Sequence, residues 1–322
     1  MRRPACIVTV LLLGFFAVQL VGQAAKRGDA RPKRALPPAW SADVKEAFYA
    51  DLRELLSGER PNFGNLAATR PKTSPQPGGS GEPAGSDGSS FAWSQLISPT
   101  SLEDEVKKLK MAIDQTVDTP GPFKGGGNRD ARVQFTVLAV LFAVIADFDG
   151  DVRWKDQAAG LRELFAQAGF SCKVGTTQSY NQAKLRKQDL EELIRGSRVE
   201  GAREAEATVT WDKVADRPPL MQRMEQAFDK RLRPWLASES EFKNKAEDIL
   251  REAQILAMIS EVIQREGFEY WDDETYTGYA AAMRDAAKDI AEAVKLQSYQ
   301  QASEAAGAIS NACSECHSGY RA

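Results

Sequence analysis

The chain has 322 residues, with 42 Lys and Arg against 45 Asp and Glu, four Cys and a single His. That length allows about two folded domains, and a formal charge of −3 gives no footing for a nucleic-acid partner. One histidine excludes a three-histidine metal site, any Ser-His-Asp triad would have to use His317, and four cysteines are too few to staple a scaffold of this size.

The N-terminus runs Met1-Arg2-Arg3-Pro4, then an apolar stretch from Ala5 to Leu20, then Val21-Gly22-Gln23-Ala24-Ala25. A basic start, an apolar core and small residues before a cut describe a secretory signal peptide over residues 1–25. The apolar run is 16 residues, short of the roughly 20 that a spanning helix needs, and no later stretch is apolar enough to span. The mature chain is therefore expected in the periplasm or otherwise exported, with no transmembrane segment. Cleavage removes Arg2, Arg3 and Cys6, taking the formal charge from −3 to −5 and leaving Cys172, Cys313 and Cys316.

Residues 26–90 read as an N-terminal arm. Lys26–Pro38 is basic and contains proline. Ser41 is a helix N-cap candidate, and Val44, Phe48, Leu52 and Leu55 follow at helical spacing, so a short helix is expected to about Leu56. Pro71–Ser90 is rich in Gly, Pro and Ser and reads as linker.

Beyond residue 90 the pattern is helical throughout. Leu102–Val117 lines one face with Leu102, Val106, Leu109 and Ile113, and Arg132–Phe148, Lys155–Ala168 and Tyr180–Ile194 follow. The plan then repeats in Leu220–Leu232, Phe242–Gln264, Thr275–Val294 and Tyr299–Tyr320. Landmarks recur in the same order. Phe123-Lys124 matches Phe242-Lys243, Leu138-Ala139 matches Leu256-Ala257, and Trp154 matches Trp271, at offsets of 119, 118 and 117. The run Gln178–Ala183 matches Gln297–Ala302 at 119. Such spacing points to an internal duplication. The expected fold is all-α, two antiparallel four-helix bundles spanning residues 91–210 and 211–322.

One motif carries chemistry. Cys313-Ser314-Glu315-Cys316-His317 is the c-type haem attachment pattern: two thiols to form thioethers with the haem vinyl groups and an adjacent imidazole to reach the iron. On a helix, cysteines three apart share a face. Composition alone would give about 1.5 × 10⁻⁴ accidental matches, so chance is a poor rival. Zinc would want four ligands and could recruit only Cys172 from the other half, and a dithiol redox pair is the other alternative.

The motif stands at the C-terminal end of the last helix and continues as Ser318-Gly319-Tyr320-Arg321. This closely resembles class II cytochromes c, cytochrome c prime and its low-spin relatives, over about Pro218–Ala322. The resemblance implies one covalent haem c, with His317 as proximal iron ligand and the first helix of the bundle over the distal face. That helix opens Leu220-Met221-Gln222-Arg223-Met224. A Met ligand, Met224 ahead of Met221, would give a low-spin carrier of single electrons with a redox protein partner and no organic substrate, hence no enzyme. Without one, with Leu220 or Phe228 blocking, the haem would be five-coordinate and bind small gases such as NO or CO. Tyr320 and Arg321 are candidates for the haem edge or a propionate. Dimerisation through the early helices is common in these proteins, so either a homodimer or an internal pseudo-dimer is implied.

An offset of 119 carries Cys313, Cys316 and His317 back to Ile194, Ser197 and Arg198, so the first copy should hold no haem. Trp271, Tyr276 and Tyr279 are candidates for lining the pocket. Cys172 reads as a small buried hydrophobe. Asp147, Asp149 and Asp151 open like a calcium loop but meet Val152 where Gly is needed, and Gly125-Gly126-Gly127 lacks the Lys and Ser/Thr of a phosphate loop.

Overall fold

Ser98 accepts a hydrogen bond from the Ser101 backbone N–H at 3.2 Å, Pro99 takes the first helical position, and α1 runs Pro99–Thr116. In the computed structural model, which describes residues 91–202 and 209–321, seven further long helices follow: α2 Asn128–Ala146, α3 Ala158–Ser171, α4 Thr177–Arg195, α5 Arg217–Ala227, α6 Ala246–Val262, α7 Glu274–Lys295 and α8 Tyr299–Gly319. Each of the eight expected stretches is helical. The stretch read as one helix from Phe242 is broken at Lys245, with a short helix Glu239–Asn244 before α6. No strand occurs among the described residues, and none of their helices is long and apolar enough to cross a membrane. The signal peptide, the helix at 41–56 and the linker at 71–90 lie outside the described residues.

The core follows from side-chain placement. α2 buries nearly every residue from Phe135 to Ile145, and α6 does the same from Glu252 to Val262, so each is wrapped on all sides. α1, α3 and α4 surround α2. In the second half α5 and α7 flank α6, and α8 lies along α7. α4 touches α1, α2 and α3, whereas α8 makes no contact with α5 or α6 comparable to its packing on α7.

One local contact is made twice. The Phe123 and Tyr180 rings meet at 5.5 Å and Tyr180 Oη donates to the Asp118 carbonyl at 2.9 Å. The Phe242 and Tyr299 rings meet at 6.0 Å and Tyr299 Oη donates to the Leu236 carbonyl at 3.3 Å. The drifting offset also has a structural cause. Leu102 and Leu220, both fully buried, lie 118 apart. A π-helical turn at Phe228–Leu232 adds a residue to the second half, so Phe123 and Phe242 are 119 apart. A kink within Phe123–Gly127, where Gly126 takes φ 140°, offsets that residue, so Leu138 and Leu256 are again 118 apart.

α1 packs on α6 and α2 on α5, so the two halves meet directly. Between them lies a buried ionic cluster. Arg223 donates from Nε and Nη2 to Glu105 Oε1 at 3.1 and 2.8 Å, and from Nη2 to Glu252 Oε2 at 2.8 Å. Lys108 Nζ and Arg231 Nη1 reach Glu252 Oε1 at 2.6 and 2.5 Å. Burial alone would push the Glu252 carboxyl up, but Arg223, Lys108 and Arg231 overcome it and hold it at about 2. Nearer the edge, Asp216 joins Arg132 at 2.7 Å and Lys173 at 2.9 Å.

Candidate functional site

Ser298 caps α8 by accepting from the Gln301 N–H, and the helix then buries Ala302, Ala305, Ile309, Ala312 and Cys316 along one stripe. The motif occupies the last two turns. Cys316 is buried and Cys313 half-buried, both as free thiols, and Cys313 Sγ lies 3.4 Å from Met283 Sδ of α7. His317 and Arg321 are exposed.

Burial pushes the Cys313 thiol up to about 11 and also raises Cys316, the latter against the pull of Arg217. A redox dithiol needs the opposite environment, a positive field such as a helix N-terminus that favours the thiolate. These thiols sit at a helix C-terminus, whose dipole disfavours negative charge. Among the described residues no three His, Cys, Asp or Glu side chains gather into a donor set for an ion such as zinc. Cys172 is fully buried, its thiol pushed up to about 12 by burial.

Around Cys316 the structure assembles residues from four segments. The rings of Tyr270 and Tyr320 meet at 5.1 Å, Tyr276 and Tyr320 at 5.4 Å, and Tyr270 and Tyr276 at 5.8 Å. Tyr320 Oη donates to Asp273 Oδ1 at 2.9 Å, and Asp273 also caps α7 by accepting from the Thr275 and Tyr276 N–H groups. The Arg217 guanidinium lies 5.1 Å from the Tyr270 ring centroid and 5.8 Å from that of Tyr276, and its Nη2 pairs with Glu269 at 2.7 Å. The buried Tyr276 hydroxyl has the Arg217 guanidinium as its polar neighbour: burial pushes its pKa up and Arg217 draws it back.

Met224 is buried on α5 and Met221 half-buried one turn earlier. Arg217, Met221 and Met224 fall at i, i+4 and i+7, on one helical stripe, and its first member already faces Cys316. Tyr276 is buried in the cluster and Tyr279 is half-buried, while Trp271 is 44% exposed. The residue that shares Trp154's left-handed backbone, φ 69°, is Tyr270, φ 67°, one position before Trp271. Arg217, Tyr270 and Met283 are additions to the residues expected here. The stripe through Met221 and Met224 was the available signal for Arg217, and nothing local in the sequence marks the other two. Elsewhere, Asp149 ties down the Ser94 N–H and hydroxyl, and Gly125–Gly127 belongs to the kinked segment Phe123–Gly127.

Family models, curated protein sequences and solved structures yield no match to this chain. What it does is read from its own residues.

Proposed function

We propose that this chain is an exported c-type cytochrome resembling the class II group, two four-helix bundles of which the second carries one haem c on Cys313 and Cys316 with His317 as proximal ligand, and that it passes single electrons to and from a redox protein. The observation that carries this is the Cys313–His317 motif on the final turns of α8, with two free thiols kept neutral by burial and an exposed imidazole at the following position. The residues present fit the group. Arg217, stacked on Tyr270 and Tyr276 and acting on Cys316, offers positive charge to an anionic haem edge, and α8 stands off α5 and α6 where α4 is closed on α1 and α2.

The haem, once bound, supplies the one-electron chemistry. Cys313 and Cys316 fix its edge, so no deep enclosing pocket is needed. Arg217 and the exposed Arg321 provide positive charge, which Arg offers to carboxylates in a two-pronged fork. Met224 or Met221, on the stripe that begins at Arg217, would be the residue to ligate the iron opposite His317, and a thioether there would raise the potential. The first half and the N-terminal arm serve as scaffold and partner surface, the first half as an internal pseudo-dimer partner.

An optical spectrum of protein matured in a periplasm tests this, ferric and ferrous, with and without carbon monoxide. Sharp reduced bands that ignore the gas are expected, and replacing the ligating Met with Leu should convert the spectrum to a high-spin, gas-responsive form. A wild-type spectrum already responsive to the gas would replace electron transfer with gas binding. Absence of covalent haem would overturn both.

A further inference from the structure

We propose that Tyr270, Tyr276 and Tyr320 form a one-electron relay between the Cys316 end of the motif and the protein surface, with Tyr320 as the residue that loses its proton, to Asp273, when oxidised. Three of the chain's seven tyrosines meet here in mutual ring contact. Ring packing alone does not call for tyrosine at position 320, where phenylalanine would make the same ring contacts without the hydroxyl that reaches Asp273. The cluster runs from Tyr276, 2% exposed, to Tyr270, 37% exposed, so it joins interior to surface.

The charges order the three rings. Arg217 lies over Tyr270 and Tyr276, and a cation there opposes removal of an electron from either ring. Tyr320 has no such cation over its ring among the described residues and instead donates its hydroxyl to a carboxylate. Loss of an electron from a phenol makes the O–H strongly acidic, so a waiting acceptor 2.9 Å away makes Tyr320 the easiest of the three to oxidise.

With a haem on Cys313 and Cys316, the oxidant would be that haem once a hydroperoxide has displaced its Met ligand and been reduced to alcohol and water, and for that oxidant alone the relay rests on the cytochrome reading. Each of the two oxidising equivalents takes one electron from the Tyr320 ring, one after the other, with the ring re-reduced between them. The O–H bond breaks, its proton passes to Asp273 Oδ1, and a neutral tyrosyl radical is left. An exogenous thiol or ascorbate-type reductant at exposed Tyr270 returns an electron, and the proton returns from Asp273. The effect is to carry oxidising equivalents away before they destroy the haem.

The haem-bearing mature chain is mixed with hydrogen peroxide, frozen and measured by electron paramagnetic resonance. A tyrosyl signal is expected in the wild type and in Tyr299→Phe. It should be lost in Tyr320→Phe and diminished in Asp273→Asn, with faster haem bleaching in both and unchanged circular dichroism. The same four chains are flash-oxidised with a ruthenium trisbipyridyl complex, which needs no haem. Here too the radical yield should fall in Tyr320→Phe. Equal radical yield in wild type and Tyr320→Phe under the ruthenium oxidant would overturn the relay whatever the haem content. A chain without covalent haem would overturn the cytochrome reading and the peroxide route, leaving the ruthenium comparison to judge the three rings.

Discussion

The two halves part company at the ends of their last helices. α4 stops at Arg195, where Gly196 turns left-handed at φ 95° and the Gly196 and Ser197 N–H groups close back on the Leu193 and Glu192 carbonyls. At an offset of 119 the residue matching Gly196 is Glu315, a good helix former, and α8 runs on to Gly319. The added turn holds Cys316 and His317. In the first half the exposed carbonyls of that end are already taken, Leu193 by the Trp154 indole at 3.3 Å and Ile194 by Arg153 at 2.9 Å. In the second half Tyr270 stands where Trp154 does and turns to Tyr276 and Tyr320 instead. One helical plan thus yields a half whose last helix closes at Gly196 and a half whose last helix runs on through Cys316 and His317.

The sharpest way to break this comparison is to count haems. The wild type is expected to carry one per chain, by haem absorbance against protein mass. Replacing both Cys313 and Cys316 with Ser should leave none. Grafting the motif onto the first half, as Ile194→Cys, Ser197→Cys and Arg198→His together, should not add a second haem, because Gly196 ends the helix before the second thiol. Adding Gly196→Glu to that graft is the one change expected to help. A second haem in the triple graft would show that the helix end does not decide attachment.

The halves are coupled through charges that come from distant parts of the chain. Arg223 is almost wholly buried between Glu105 and Glu252, and removing one member strands the others in a low-dielectric interior. Arg223→Met should destabilise the chain by about 3–5 kcal/mol in urea unfolding. If it costs nothing, the interface is held by apolar contact alone. The pH dependence has a definite sign. Glu252 is held at about 2 in the fold against an ordinary value near 4.5. Its contribution is therefore complete above about pH 4.5, declines as pH falls toward 2, and amounts to roughly 3 kcal/mol. Glu252→Gln should flatten that acid limb of the stability curve, and an unchanged limb would assign acid lability elsewhere.

Helical periodicity made the eight helices legible, and four of their starts fall at Ser98, Asp216, Asp273 and Ser298. The Cys313–His317 pattern was legible because its three residues lie within five positions. The rest needed the fold. The ionic cluster draws on residues 105 and 108 of α1, 223 of α5, 231 of the π-helical turn after it and 252 of α6, and no local spacing announces it. Arg217 precedes two prolines and looks like a helix start, yet it faces the motif helix from the other end of the half. Matching Trp154 with Trp271 followed residue type. The backbone instead equates Trp154 with Tyr270, since the left-handed turn rather than the ring is what recurs.

The smallest expected effect tests how alike the halves remain. Tyr180 and Tyr299 occupy the same place, each stacked on a phenylalanine and each bonding a carbonyl just past the first helix of its half. Removing either hydroxyl leaves the ring contact intact and deletes one hydrogen bond, about 1 kcal/mol. Tyr180→Phe should cost more than Tyr299→Phe, because its bond is shorter, 2.9 against 3.3 Å. α4 is also held by α1 and α2, whereas α8 leans chiefly on α7. Loosening the Tyr299 contact should therefore appear less in global unfolding than in faster hydrogen exchange along α8. If the two variants lose equal stability and exchange alike, α8 is held as tightly as α4.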